Sequence, residues 1–171
     1  MRYVKQRIEH DPDNGRWGDC HRAAVASVLQ LPYEAVPHFM DHGVSAAEAG
    51  RIEREWLHSI GLTMICLPFN ADLSHLLSGL GACAPDVHYI LGGTSRNGTG
   101  HSVVCRGGEI VHDPSPVESG IVGPMDDGFF WTTFFVPRGD PLRGARFPDA
   151  ATDAAGPAPH QAAERRGEQG S

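Results

Sequence analysis

One of the four cysteines, Cys20, stands where a helix should begin, in the run Asn14-Gly-Arg-Trp-Gly-Asp-Cys-His-Arg-Ala-Ala-Val. A thiol in a first helical turn meets the positive end of the helix dipole and N–H groups without intrahelical partners. Both favour the thiolate, which is the nucleophile, while the neighbouring carboxylate of Asp19 disfavours it. A thiol nucleophile needs a base, and the base needs an orienting group. His101 suits the first role, because it follows the glycine-rich stretch 92–100 and opens a predicted strand that would hold its ring rigidly at a cleft. Asp113 suits the second role only in the right hairpin register. If the turn at Gly107-Gly108 uses three residues, His101 faces Asp113. If it uses two, His101 faces Pro114, and Asp113 falls on the wrong face unless a bulge intervenes. In the first case the Asp113 carboxylate binds the far ring nitrogen and fixes the tautomer. In the second, the pair is a surface histidine beside an Asp-Pro turn.

The elements that must position these groups read as helices first and strands afterwards. Asp19 is placed to cap a helix over 20–30, with Val25, Val28 and Leu29 at helical spacing on its buried face. Ser45-Ala-Ala-Glu48 is a capping box opening a second helix to about Ile60, which Gly61 stops. A strand follows over 62–67 and a short helix over 71–80. Strands are then expected over 87–91, 101–106, 109–113 and 129–136, the last (FFWTTFFV) as a central strand. This order gives an α+β fold, with a helical N-terminal part carrying the cysteine and an antiparallel sheet carrying the histidine and aspartate.

The cysteine at a helix start, His-x-Val-Val on a strand some eighty residues later and Asp-Pro after the next strand together resemble the papain-like cysteine peptidases. The nearest resemblance is to the double-glycine peptidase domains that trim bacteriocin leaders. The Gly-Asp-Cys-x-Arg-Ala…Leu-Pro…Val-Pro-His-Phe block, with His-x-Val-Val…Val-His-Asp-Pro, is also similar to uncharacterised papain-like proteins of bacteria and phages. The resemblance spans about residues 14–116. It implies a papain-like fold, with Cys20 as nucleophile, His101 as base and Asp113 as orienting residue. It also implies an amide side chain six residues before the cysteine as an oxyanion-hole donor; that position is Asn14 here, one methylene shorter than the usual Gln. Some papain-like hydrolases orient the base with a second histidine, which leaves His112 as an alternative to Asp113. The implied activity is hydrolysis of a peptide or amide bond through an acyl-enzyme, on a peptide or protein substrate, without metal or cofactor. Deamidation and acyl transfer on the same triad, and a catalytically inactive binding module on the same fold, are the alternatives. The leader-peptide substrate itself does not carry over.

Around this trio, Trp17, Gly18, Asp19, Arg96 and Gly100 are the candidates for lining a substrate cleft. The 92–100 stretch is the candidate for a substrate lip. It does not follow the strand–GxxxxGK–helix phosphate pattern, so no nucleotide site is expected. His38 and His42 with Asp41 between them suggest a metal edge, but no third ligand accompanies them. Cys66 and Cys83 are expected in the core.

The 171 residues suffice for one domain and at most a tail. From Arg138 onward Gly, Pro and Ala supply 17 of 34 residues and the only large apolar side chains are Leu142 and Phe147, so a folded domain over 1–137 and a flexible tail over 138–171 are expected. Residues 1–137 hold nine basic and sixteen acidic side chains, so the whole net charge of −7 lies there. That balance argues against a nucleic-acid partner and for a neutral or cationic substrate. No apolar run is long enough to span a bilayer, and the N-terminus lacks an apolar signal core. A cytoplasmic protein with reduced thiols is therefore expected. The sequence leaves the oligomeric state open.

Overall fold

The computed structural model describes residues 2–139. Beyond Arg138 and Gly139, the expected tail lies outside the described residues.

Three helices pack on a five-stranded antiparallel sheet, an α+β arrangement. In chain order these are α1 (Cys20–Leu29), α2 (Ala46–Ser59), β1 (Leu62–Phe69), α3 (Leu73–Cys83), β2 (His88–Thr94), β3 (Gly100–Arg106), β4 (Glu109–His112) and β5 (Phe130–Pro137). The strand order is β1-β5-β2-β3-β4, so the last strand enters the sheet interior. Successive side chains on a strand point to opposite faces, and here both faces are covered. Ile90 and Val104 pack against Val25 and Ala26 of α1 and Ala49 of α2. Leu91, Val103 and Cys105 pack on the other face against Leu76 of α3, with Ile121 and Phe130. Residues Ala23 to Ala26 are wholly buried, and their short side chains let α1 lie close to the sheet.

Local signals fix several boundaries. The Ser45 hydroxyl accepts the Glu48 N–H, as the capping box requires. Gln30 takes a left-handed conformation (φ 56°) and ends α1 before Leu31-Pro32. Other expectations fail. Asp19 sits at the N-cap of α1 but makes no side-chain capping bond, because its carboxylate is occupied elsewhere. The ends of the 92–100 stretch belong to β2 and β3, paired as Gly92–Ser102, Gly93–His101 and Thr94–Gly100, and only its middle, 95–99, forms the turn. Cys66, on edge strand β1, and Cys83, at the end of α3, are exposed; only Cys105 is buried. Among the described residues no helix is long and apolar enough to cross a membrane.

Candidate active site

The β3–β4 hairpin turns tightly, pairing Arg106 with Glu109 around Gly107-Gly108. Gly107 has φ +54°, and a Cβ there would lie 2.6 Å from the Pro85 carbonyl oxygen, so the turn demands glycine. This two-residue register alone would put Asp113 on the wrong face. A bulge between Val104 and Cys105 then shifts the pairing, so that Val104 meets His112. Continued one residue further, the shifted register sets Asp113 opposite Val103, on the face that His101 shares. His101 Nε2 accordingly donates to Asp113 Oδ1 at 2.7 Å, which leaves Nδ1 as the ring nitrogen free to take a proton.

Asp113 is held from three sides. Oδ1 also accepts the Ser115 N–H at 2.8 Å, and Oδ2 accepts the Gly120 N–H at 2.7 Å. Burial works against the charged carboxylate, but these two N–H donors and the His101 ring outweigh it and hold Asp113 below its ordinary range. His112 points elsewhere: its Nε2 donates to the Val4 carbonyl at 2.8 Å and its ring stacks on Tyr3. Of the two candidate orienting residues, Asp113 is the one on His101.

Cys20 and His101 line one cleft of about 360 Å³. The cleft is also lined by Gln6, Glu9, His10 and Gly18 and by residues of the 95–100 turn and the 115–119 loop. Burial pushes the Cys20 thiol up to about 11. The backbone N–H groups of Ser102 and His21 pull it down, while the Asp19 and Asp113 carboxylates add to the rise. The helix start does favour the thiolate, as its position implies, but desolvation wins and Cys20 rests as a thiol.

The remaining expected residues divide. Gly18 and Gly100 line the cleft. Asn14 is not among the lining residues: it ends a 3-10 turn over Pro12–Asn14, is exposed, and donates from Nδ2 to Asp11 at 2.9 Å. Gly15 then reverses the chain and Arg16 pairs with Asp11, which anchors the turn away from Cys20. Trp17 packs over Gly43 and against the His10 ring instead of facing the cleft. Arg96 is exposed at the tip of the 95–99 turn, its guanidinium directed toward Gly120. Asp19 is 1% exposed, its carboxylate accepting the N–H groups of Arg7 and Ile8 at 3.0 and 2.9 Å and the Tyr33 hydroxyl. It ties the N-terminal segment to α1 and is not among the residues that line the cleft. His38 donates from Nε2 to the Gly18 carbonyl, and among the described residues no cluster of three ligands suits a metal.

Sequence reasoning missed the N-terminal segment as a wall of the site. Gln6 N–H donates to the Pro114 carbonyl at 2.9 Å, and Lys5 Nζ donates to the carbonyls of Asp113 and Ser115. Residues 4–8 thus lie between Asp19 and the loop that follows β4. Each bond joins residues distant in sequence, and no local pattern signals them. Comparison with models of protein families, with curated proteins and with solved structures finds no match.

Proposed function

We propose that this chain is a papain-like thiol hydrolase that cleaves a peptide or amide bond through Cys20, His101 and Asp113. The observation that carries the reading is the 2.7 Å bond from His101 Nε2 to a firmly held carboxylate, on a ring that lines the same cleft as a helix-terminal cysteine. With Nε2 committed, Nδ1 takes the thiol proton as sulfur attacks the substrate carbonyl. A resting thiol at about 11 means that proton transfer accompanies attack and no thiolate stands ready beforehand. Asp113 stabilises the imidazolium that forms. His101 then returns the proton to the leaving amine, and water hydrolyses the thioester.

The oxyanion needs donors that are in place before it forms. The Cys20 N–H, in the first turn of α1, is one. With Asn14 outside the cleft, we assign the second to Gln6 or His10, the side-chain N–H donors that the N-terminal segment contributes to the lining. His10 Nδ1 accepts the Gly18 N–H at 3.2 Å, which places the ring proton on Nε2 as a donor. Glu9 is the only acidic or basic side chain of the lining apart from the histidines, which supports a neutral or cationic substrate. The reaction needs no metal or cofactor.

The exposed position of Asn14 favours one other reading, a non-catalytic binding module on this fold. Incubation with an electrophilic peptide probe such as a vinyl sulfone separates the two. The hydrolase reading expects a covalent adduct at Cys20 that His101→Ala suppresses. Absence of an adduct, or equal adduct in both proteins, favours the binding module. Mass spectrometry of peptide substrates then separates cleavage from deamidation, which adds about one dalton, and from acyl transfer, which adds an acyl mass.

A further inference from the structure

Three consecutive carbonyls in the loop of the orienting residue take their donors from two consecutive residues near the start of the chain. The β3–β4 ladder ends at the Val104–His112 pair, so the carbonyls of Asp113, Pro114 and Ser115 need partners from elsewhere. Lys5 Nζ donates to the Asp113 carbonyl at 2.8 Å and to the Ser115 carbonyl at 3.0 Å. Between them, the Pro114 carbonyl accepts the Gln6 N–H at 2.9 Å. Pro114 is fully buried and Ser115 is 4% exposed, so these contacts belong to the packed structure and not to a loose surface.

The segment that supplies the donors is fixed on its other side along α1. The Arg2 N–H donates to Gln30 Oε1 at 2.8 Å and the Val4 N–H to Ser27 Oγ at 2.9 Å. The N–H groups of Arg7 and Ile8 reach Asp19 Oδ1, one residue before the nucleophile. Residues 2–8 therefore follow α1 from its last turn to its first, and lie between the helix of Cys20 and the loop of Asp113. That same loop holds the orienting carboxylate, through the N–H groups of Ser115 and Gly120. Ser115 thus meets the Asp113 carboxylate with its N–H and Lys5 with its carbonyl. We propose that Lys5 is a positioning residue: its ammonium clamps the Asp113 and Ser115 carbonyls and so keeps the Asp113 carboxylate aimed at His101. An ammonium suits this task, as a compact cation with three donors whose bonds to oxygen are charge-assisted. Glu118 stands 3.9 Å away on its outer side. The effect on turnover rests on the hydrolase reading; the effect on the His101–Asp113 bond does not.

The test compares Lys5→Met, which keeps the apolar stem and loses every donor, with Lys5→Arg, which keeps the cation and its donors. The first readout is the downfield proton resonance of His101 Nε2–H, assigned by its absence from His101→Ala. The second is the burst of p-nitrophenolate from p-nitrophenyl acetate. The proposal expects the resonance to move upfield or to vanish by exchange with water in Lys5→Met, and to persist in Lys5→Arg. Misplacing reacting groups by about 1 Å costs up to about a hundredfold in rate, and a loosened loop still visits the aligned position, so the burst should slow about tenfold in Lys5→Met and much less in Lys5→Arg. Iodoacetamide labelling of the Cys20 peptide, which needs no base, should stay unchanged in both. A wild-type resonance in Lys5→Met, with only a lowered melting temperature, would show a merely structural tie and overturn the proposal. Equal loss in Lys5→Met and Lys5→Arg would overturn it too, because the donors would then not be what matters. The Lys5 side chain is 47% exposed, so its replacement strands no buried charge; should Lys5→Met still fail to fold, the shorter, uncharged Lys5→Gln gives the same comparison. A wild type that shows the resonance but no burst would defeat the hydrolase reading alone, and the resonance would decide the role of Lys5. A wild type without the resonance lacks the bond that Lys5 maintains, and the proposal falls.

Discussion

Replacing Asp113 with Asn separates the charge of the orienting residue from its geometry. Two donors, the His101 Nε2–H and the Ser115 N–H, converge on Oδ1, whereas Oδ2 meets only the Gly120 N–H. An asparagine therefore keeps its oxygen at the two-donor position and turns its NH2 toward Gly120, donor facing donor. The His101 tautomer survives, one charge-assisted bond is lost and the Gly120 N–H is stranded. A hydrogen bond to a charged group contributes about 1.5–3 kcal/mol and a stranded donor costs a comparable amount, so Asp113→Asn should destabilise the fold by about 3 kcal/mol. Loss of the negative charge behind the forming imidazolium should raise the acylation barrier by about 2 kcal/mol, roughly a thirtyfold slower reaction. Asp113→Ala also frees the tautomer, allowing the proton onto Nδ1, the nitrogen proposed to take the thiol proton, and should be slower still. Urea denaturation gives the first quantity; the burst of p-nitrophenolate from p-nitrophenyl acetate gives the second. Asp113 holds its carboxylate below the ordinary range, so its stabilisation is present above the unfolded value near 3.8 and is lost as pH falls through the lower folded value. Asp113→Asn should flatten that acid limb of stability. Wild-type burst rates in Asp113→Asn, or equal rates in the Asn and Ala variants, would refute this role.

Further substitutions at four positions probe the lining of the cleft and the buried carboxylate behind it. Asp19→Ala strands the N–H groups of Arg7 and Ile8 and the Tyr33 hydroxyl, and should cost about 3–5 kcal/mol in urea denaturation. Asp19→Asn keeps the bonds, since the tyrosine hydroxyl can accept from an amide, and should alkylate faster at Cys20 because a charge that raises the thiol is gone. Of Gln6→Ala and His10→Ala, the variant that removes the second oxyanion donor should slow the p-nitrophenyl acetate burst about a hundredfold while leaving iodoacetamide labelling unchanged. Gly18→Ala places a Cβ 2.9 Å from the His10 Cβ, and should lower stability by about 1–3 kcal/mol as that wall is displaced; an unchanged melting temperature would contradict the close approach.

What the sequence made legible was local. Cys20 at the start of α1, the Ser45 cap, the tight Gly107-Gly108 turn and the interior placement of β5 each follow from neighbours a few residues away. The register that joins His101 to Asp113 was left as an alternative, because a bulge shifts the parity of a strand without altering its composition. Asp19 and Asn14 were both misplaced for one reason. Each carries a short polar side chain that takes the partner the fold brings to it: the backbone of residues 7 and 8 for Asp19, and Asp11 for Asn14. The exposure of Cys66 and Cys83 reflects an edge strand and a helix end, positions set by the sheet order and not by the residues themselves. The N-terminal segment joins α1 to the loop that follows β4, and no motif spans them.

The central claim is that Cys20 is acylated with His101 as its base. Its most direct test is the intact mass and burst amplitude after mixing the protein with p-nitrophenyl acetate at neutral pH. The account predicts one acetyl group per chain on Cys20, no burst from Cys20→Ser, and a rate at least about a hundredfold lower in His101→Ala. An acetyl group on another residue, or equal rates in the wild type and His101→Ala, would contradict it.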